Sequence, residues 1–173
     1  MRLTLHLSWW ILAAGAPDVG PRTSEKVSLA KKVAGEIACG VCQVVIGGIY
    51  ANLRGGDEVS DSFDVNQVCT MRSLARTMKG GQWEVVEHGS KHVLQRSAAS
   101  VFYEEINESD LVFHWQSMAV REACYKVMRR EVDIVETAEE MKANEEEDGR
   151  GICKKVKICG KSSVGALELN AEL

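Results

Sequence analysis

Ala38-Cys39-Gly40-Val41-Cys42-Gln43-Val44-Val45-Ile46 decides how the rest of the chain is read. Two cysteines three positions apart stand within a run whose apolar residues recur at steps of three and four: Val33, Ile37, Val41, Val44 or Val45, Ile49 and Leu53. Lys31, Lys32, Glu36 and Gln43 fall between them, so the stretch reads as an amphipathic helix from about Leu29, ended by Gly55-Gly56. Gly47-Gly48 lies late in this helix and should weaken it by up to about 1 kcal/mol per glycine relative to alanine. Close approach of another helix and simple fraying both account for that pair. Four more cysteines follow, Cys69, Cys124, Cys153 and Cys159, the last two near each other in Cys153-Lys154-Lys155-Val156-Lys157-Ile158-Cys159. One close pair near the start and another near the end suggest that the first and last helical segments are stapled side by side. Cys39 and Cys42 would join Cys159 and Cys153, leaving Cys69 and Cys124 for a third bridge. Six cysteines allow fifteen pairings, and sequence alone does not choose among them.

Whether these cysteines are oxidised depends on the compartment, and the N-terminus speaks to that. Met1-Arg2 is a short basic start, Leu3 to Ala14 is apolar with Trp9-Trp10-Ile11-Leu12 inside it, and Ala14-Gly15-Ala16 supplies small residues of the kind signal peptidase accepts. The apolar run is shorter than the ~20 residues a membrane-spanning helix needs. Residues 1–16 therefore read as a cleaved signal peptide, with a short buried or interfacial helix as the alternative. Cleavage there removes Arg2 and no acidic residue, so the formal charge of −4 becomes −5. All six cysteines lie beyond the cut. In an oxidising lumen an even set with none left over reads as three disulfides. No stop-transfer segment is seen downstream, and a soluble protein of the endoplasmic-reticulum lumen or the exterior is expected.

The chain has 173 residues, enough for one compact domain, with 45% hydrophobic and 27% charged residues. Its charge is mildly acidic and locally mixed, which is not the basic footprint of a nucleic-acid binder. Pro17 and Pro21 are the only prolines, and both precede the first cysteine. A core built mainly of helices fits that, since interior prolines break them.

Residues 17–28 are polar and read as a flexible leading segment, 29–160 as the folded domain and 161–173 as a flexible tail. A second helix is expected from Asp61 or Ser62, either of which could cap it, with Val65, Val68, Cys69, Leu74 and Met78 buried and Gly80-Gly81 as its stop. The period then changes. Trp83 to Glu87 and Lys91 to Gln95 read as two short strands around His88-Gly89-Ser90, a hairpin over about residues 82–96. Arg96 to Asn107 fits a helix as well as a strand. Asn107-Glu108-Ser109 is an N-glycosylation sequon, usable if the chain is exported. The longest helix is expected from about Leu111 to Met141, with Phe113, Val120, Cys124, Val127, Met128, Val135, Ala138 and Met141 as its apolar stripe. Glu145-Glu146-Glu147-Asp148-Gly149 ends it and reads as a solvated loop, an acidic docking patch or weak calcium site being the sharper alternative. Gly151 to Cys159 forms a short terminal turn or helix.

Cys39-Gly40-Val41-Cys42 has the dithiol spacing of thioredoxin-like oxidoreductases. It lies inside a helical run, however, and no proline after Pro21 can supply the cis-proline that faces such a dithiol. A four-thiolate zinc site from Cys39, Cys42, Cys153 and Cys159 is a second rival, but the gap between the last two is wide for a zinc knuckle. His88, His92 and His114 are scattered, and His88 and His92 read as exposed hairpin residues. No nucleophile elbow, P-loop or dinucleotide glycine pattern occurs. No catalytic residue, metal or cofactor is expected.

With these features together, the chain resembles the saposin-like family, and within it the canopy branch of endoplasmic-reticulum proteins. The resemblance rests on Cys39-Gly-Val-Cys42-Gln-Val-Val, Cys69 on a second helix, Ala123-Cys124-Tyr-Lys-Val-Met and Cys153-x5-Cys159. It implies the nested pairs Cys39–Cys159, Cys42–Cys153 and Cys69–Cys124. It also implies a mainly α fold, a disulfide-stapled helical bundle with a small β-hairpin inserted between the third and fourth cysteines. More than fifty residues separate Cys69 from Cys124, where ordinary saposins have a short hairpin. The tail departs from the canopy pattern, sharing with a KDEL-like retrieval signal only Glu172-Leu173. What the resemblance implies is a non-enzymatic adaptor or co-chaperone for folding, maturation or trafficking of secretory or cell-surface clients, working with a luminal chaperone. Trp83, Val85 and His92 on the hairpin are the expected partner surface. Saposin-type lipid or membrane binding is the alternative, and thiol-disulfide exchange by Cys39 and Cys42 a lesser one.

Overall fold

The apolar run around Cys39 becomes a single helix, α1 (Thr23–Asn52), of 30 residues. In this computed structural model the described residues are 23–53, 58–97, 114–146, 148–161 and 163–167. The signal-peptide segment, residues 17–22, Gly55-Gly56 and the sequon at Asn107 lie outside them. Helix α1 begins six residues before the periodicity that marks it, so residues 23–28 are helical, not irregular. Ser24, Glu25, Val27 and Ser28 there are exposed, so no apolar stripe is written into the sequence. Farther along, Cys42 is fully buried, and so are Val33, Ile37, Val41 and Ile46, each of these four worth roughly 1.5–3 kcal/mol for a complete aliphatic burial. The helix passes straight through Gly47-Gly48. A Cβ on Gly47 would come within 3.4 Å of Arg150 Cγ, whereas one on Gly48 would meet nothing within 4 Å. Close approach therefore explains Gly47, and the neighbour is a loop, not a helix.

The expected second helix is three pieces: α2 (Val59–Ser62), α3 (Val65–Val68) and α4 (Met71–Gly81). Asp64, not Asp61 or Ser62, caps the middle piece, its carboxylate accepting from the Asn66 N–H at 2.8 Å. Thr70 Oγ1 accepts from the Ser73 N–H at 3.2 Å and restarts the chain as α4. Val68, Cys69, Leu74 and Met78 are buried as the pattern predicts.

Strands β1 (Trp83–His88) and β2 (Lys91–Arg96) then pair antiparallel, with Val85 opposite Leu94 and His88 opposite Lys91. Gly89, at φ +65, takes the left-handed conformation that the two-residue turn requires.

The long helix expected from Leu111 to Met141 is two helices, α5 (Trp115–Met128) and α6 (Glu131–Ala143). Residues 111–113 lie outside the described set. The break falls at Arg129-Arg130, where charge changes sign: Lys126 closes one helix, while Glu131 and Asp133 open the next. Both placements suit the helix dipoles. Arg130 holds the bend, its Nη1 donating to the Val156 carbonyl at 3.2 Å and to Asp133 Oδ2 at 3.4 Å. Glu145, at φ +57, ends α6 with the Glu146 N–H donating back to the Met141 carbonyl, so the acidic run starts as a helix terminator. A last short helix, α7 (Gly151–Lys155), carries Cys153.

Helices α1 and α5 form the main packing pair, with the inner face of the hairpin, α4, α6 and α7 closing one continuous core around them. Cys39 is bonded to Cys159, Cys42 to Cys153 and Cys69 to Cys124, the nested set anticipated from the sequence. No cysteine is left free. Three disulfides belong to an oxidising secretory or extracellular environment. Residues 24–52 are long and apolar enough to cross a membrane by length and composition. In this fold 56% of that apolar window is buried inside the protein, as befits a core helix.

Candidate functional site

Helical spacing puts Glu36, Gly40 and Gln43 in one stripe of α1, at i, i+4 and i+7. The hairpin and the C-terminal segment lie along this stripe. Glu36 Oε2 accepts from the His92 backbone N–H and sits the same 2.8 Å from His92 Nδ1. Both side chains are largely covered, with 18% and 19% of their surface exposed. The His92 ring meets the Trp115 ring edge-on at 5.8 Å. The His92 backbone N–H holds the Glu36 carboxyl below its ordinary range, helped by the ring and by Lys32, against a smaller opposing effect of burial. His114, which precedes α5, stacks near Trp115 at 6.5 Å. Burial pushes its imidazole pKa down, and Lys26 adds to the shift.

Trp83 and Val85 do not form a partner surface. Each is only 6% exposed, and both belong to the core with Leu94. Alternation along β1 turns Trp83 and Val85 to the same side, and that side faces the helices. His92 is likewise committed to Glu36 and Trp115 instead of standing open to solvent. His88 alone of the two hairpin histidines is exposed.

The outer edge of β2 is closed by other parts of the chain, and the edge of β1 is touched at one carbonyl. On β1, the Val85 carbonyl accepts from Gln116 Nε2 at 3.2 Å. On β2, Glu36 takes the His92 N–H, and the C-terminal segment takes the next positions. The Leu167 N–H donates to the Leu94 carbonyl and the Arg96 N–H donates to the Leu167 carbonyl, both at 2.9 Å, a parallel bridge beside Gln95. The Ala166 N–H donates to Gln43 Oε1 at 3.0 Å. Residues 163–167 are thus docked, in contrast to the flexible tail expected after Gly160. An unpaired strand edge is a template for association, and on β2 these contacts occupy it.

Elsewhere, an open cleft of about 270 Å³ is lined by Arg130, Asp133, Glu136, Thr137, Lys155, Val156 and Lys157. Its charge is mixed, and Lys155 is engaged by Glu146 at 3.0 Å. Cys39 and Cys42 are 4% and 0% exposed and sit in separate bridges, so the C-x-x-C spacing serves two staples. Among the described residues no group of three or more His, Cys, Asp or Glu could hold a metal ion.

Sequence reasoning placed the six cysteines and the hairpin but missed Glu36, Gly40, Gln43 and Leu167. The available signal was the stripe itself, two polar residues and a glycine on a helix otherwise read for its apolar side. No protein-family model matches the chain, and neither a curated protein nor a solved structure shows significant similarity to it.

Proposed function

We propose that the protein is a non-enzymatic adaptor or co-chaperone of canopy type within the saposin-like family, resident in the endoplasmic-reticulum lumen or secreted. It assists the folding, maturation or trafficking of secretory or cell-surface clients, alone or with a luminal chaperone. The observation that carries this reading is the insertion between Cys69 and Cys124, a β-hairpin fastened against α1 of a triply bridged helical body. A surface fixed in this way loses little conformational entropy when it binds, so weak contacts give useful affinity. Export through this pathway would also expose Asn107 to glycosylation.

The test is cross-linking and affinity recovery of the tagged full-length protein from microsomes. Secretory or cell-surface clients, or a luminal chaperone, are the expected partners. Recovery of none above a control of equal charge overturns the reading. The lipid-binding alternative draws on the apolar length of α1. It requires the core to open, because α1, α5 and α6 bury their stripes against one another. Flotation with liposomes at neutral and acidic pH would support that alternative.

A further inference from the structure

The docked C-terminal segment behaves as a ligand does. It approaches the outer edge of β2 as an extended strand and is held there by backbone groups. Leu167 makes both ladder bonds, to Leu94 and Arg96, and Ala166 makes the third contact through Gln43 Oε1. Its floor is Gly40, where a Cβ would come within 3.0 Å of Leu94 Cβ and 3.4 Å of the Ala166 nitrogen. Gly165 faces Gln43 just as tightly: a Cβ there would meet the amide at van der Waals overlap. The seat therefore admits an extended backbone with a glycine two positions before the ladder residue. None of the three hydrogen bonds requires a particular side chain of the occupant, which is the hallmark of recognition by strand addition. The segment is tied to its seat at short range, since it starts directly after Cys159, and Cys159 is bonded to Cys39 beside Gly40.

We propose that the groove between the outer edge of β2 and the Glu36–Gly40–Gln43 stripe of α1 is a binding site for an extended segment of a client protein, and that residues 164–167 occupy it as a built-in competitor. The client as the source of that segment rests on the function proposed above; the groove itself does not. Glu36 sets one end of the site by taking the His92 N–H, so an incoming strand pairs at Leu94 and Arg96 and runs parallel to β2. Release of the tail and capture of a client segment exchange like for like, backbone bond for backbone bond. A short tether holds its ligand at an effective concentration on the order of mM. A groove that binds the free peptide with a dissociation constant on the order of 0.1 mM is then masked about tenfold.

The test uses the full-length, oxidised protein and a fluorescent synthetic peptide with the sequence of residues 161–170, read by anisotropy. Ala166→Pro with Leu167→Pro in the full chain deletes the two tail N–H donors and frees the groove. This variant should bind the peptide at least about tenfold more tightly than the wild type, and adding Gln43→Ala should weaken that binding several-fold. Equal affinity for variant and wild type, or no binding by either, overturns the proposal. Hydrogen exchange on the wild type provides a check that needs no variant. Saturating peptide should speed exchange at the Leu167 amide while the Arg96 amide stays protected; an unchanged Leu167 rate overturns the proposal as well. The two readings separate in the microsome experiment. Clients recovered equally by wild type and proline variant would sink the groove and leave the adaptor standing. Peptide binding without client recovery would do the reverse.

Discussion

Removing the bridges one at a time should cost most for the bridge with the shortest sequence separation. Those separations are 120 for Cys39–Cys159, 111 for Cys42–Cys153 and 55 for Cys69–Cys124. Taken singly, the chain-entropy relation assigns about 4.8 kcal/mol to each of the two long loops and about 4.2 kcal/mol to the shorter one. The structure changes this arithmetic because the two long-range bridges lie side by side. With Cys39–Cys159 intact, the Cys42–Cys153 bridge closes only a ring of three residues along α1 and six along the C-terminal segment. A ring of about ten residues corresponds to roughly 2.7 kcal/mol. Cys69–Cys124 has no such neighbour and keeps its full value. Cys42→Ala with Cys153→Ala should therefore cost about 1.5 kcal/mol less than Cys69→Ala with Cys124→Ala, the packing losses being similar because all four cysteines are buried. Removing both clasp bridges at once should cost about 7.5 kcal/mol, more than twice the roughly 2.7 kcal/mol of a single loss, and unfold the domain. Urea unfolding of the paired variants measures this, supported by melting temperatures at about 3 °C per kcal/mol. If removal of Cys42–Cys153 destabilises as much as removal of Cys69–Cys124, the two long-range bridges do not share one loop and the reasoning fails.

Gly149→Ala should destabilise by about 1–3 kcal/mol, because its Cβ would fall 2.7 Å from Tyr50 Cδ1, whereas Gly48→Ala, facing open space within α1, should stabilise by up to ~1 kcal/mol. Denaturant midpoints of the two variants decide it, and equal shifts would contradict the packing. Glu36→Ala removes the acceptor of the His92 N–H and should cost about 1.5 kcal/mol at neutral pH. Since the folded-state pKa of Glu36 lies below the ordinary 4.5, its contribution is complete above that value and disappears as pH falls through the lower, folded one; the wild-type and Glu36→Ala stability curves should converge there. His114 acts in a higher window. Its folded pKa is depressed below 6.5, the unfolded chain takes up the proton first, and stability declines as pH drops from 6.5 toward the folded value. His114→Gln should flatten that slope, and an unchanged pH profile would contradict the burial of the imidazole. Asn107→Gln should remove the mass shift produced by glycosidase treatment of protein expressed in a secretory host.

How much of this was legible follows from where each element gets its stability. The hairpin could be read because Trp83-Glu84-Val85 alternates and Gly89 supplies the turn, both local properties. The clasp was suggested by close pairs of cysteines at opposite ends of the chain, and its full pairing was what the resemblance to saposin-like proteins implied. The bend between α5 and α6 was missed because the apolar stripe from Val120 to Met141 continues across it; the reversal of charge from Lys126 and Arg129 to Glu131 and Asp133 was the better guide. The buried face of the hairpin was assigned to solvent because period-two alternation says that two faces differ, not which one is covered. Docking of the tail left no trace in composition. Its hydrogen bonds use main-chain groups of Ala166 and Leu167, and those are the same in every sequence. Glu36 looked like a solvated charge on a helix for a related reason: its partner is a backbone N–H fifty-six residues away.

The central physical claim is that two parallel bridges hold the first helix to the last segment and leave no thiol for chemistry. Partial reduction with stepwise alkylation, followed by peptide mapping of protein taken from its native compartment, tests it directly, and trypsin separates Cys153 from Cys159 at Lys154, Lys155 and Lys157. The account predicts Cys39 with Cys159, Cys42 with Cys153 and Cys69 with Cys124. A reduced Cys42, or a bond between Cys39 and Cys42, would contradict it.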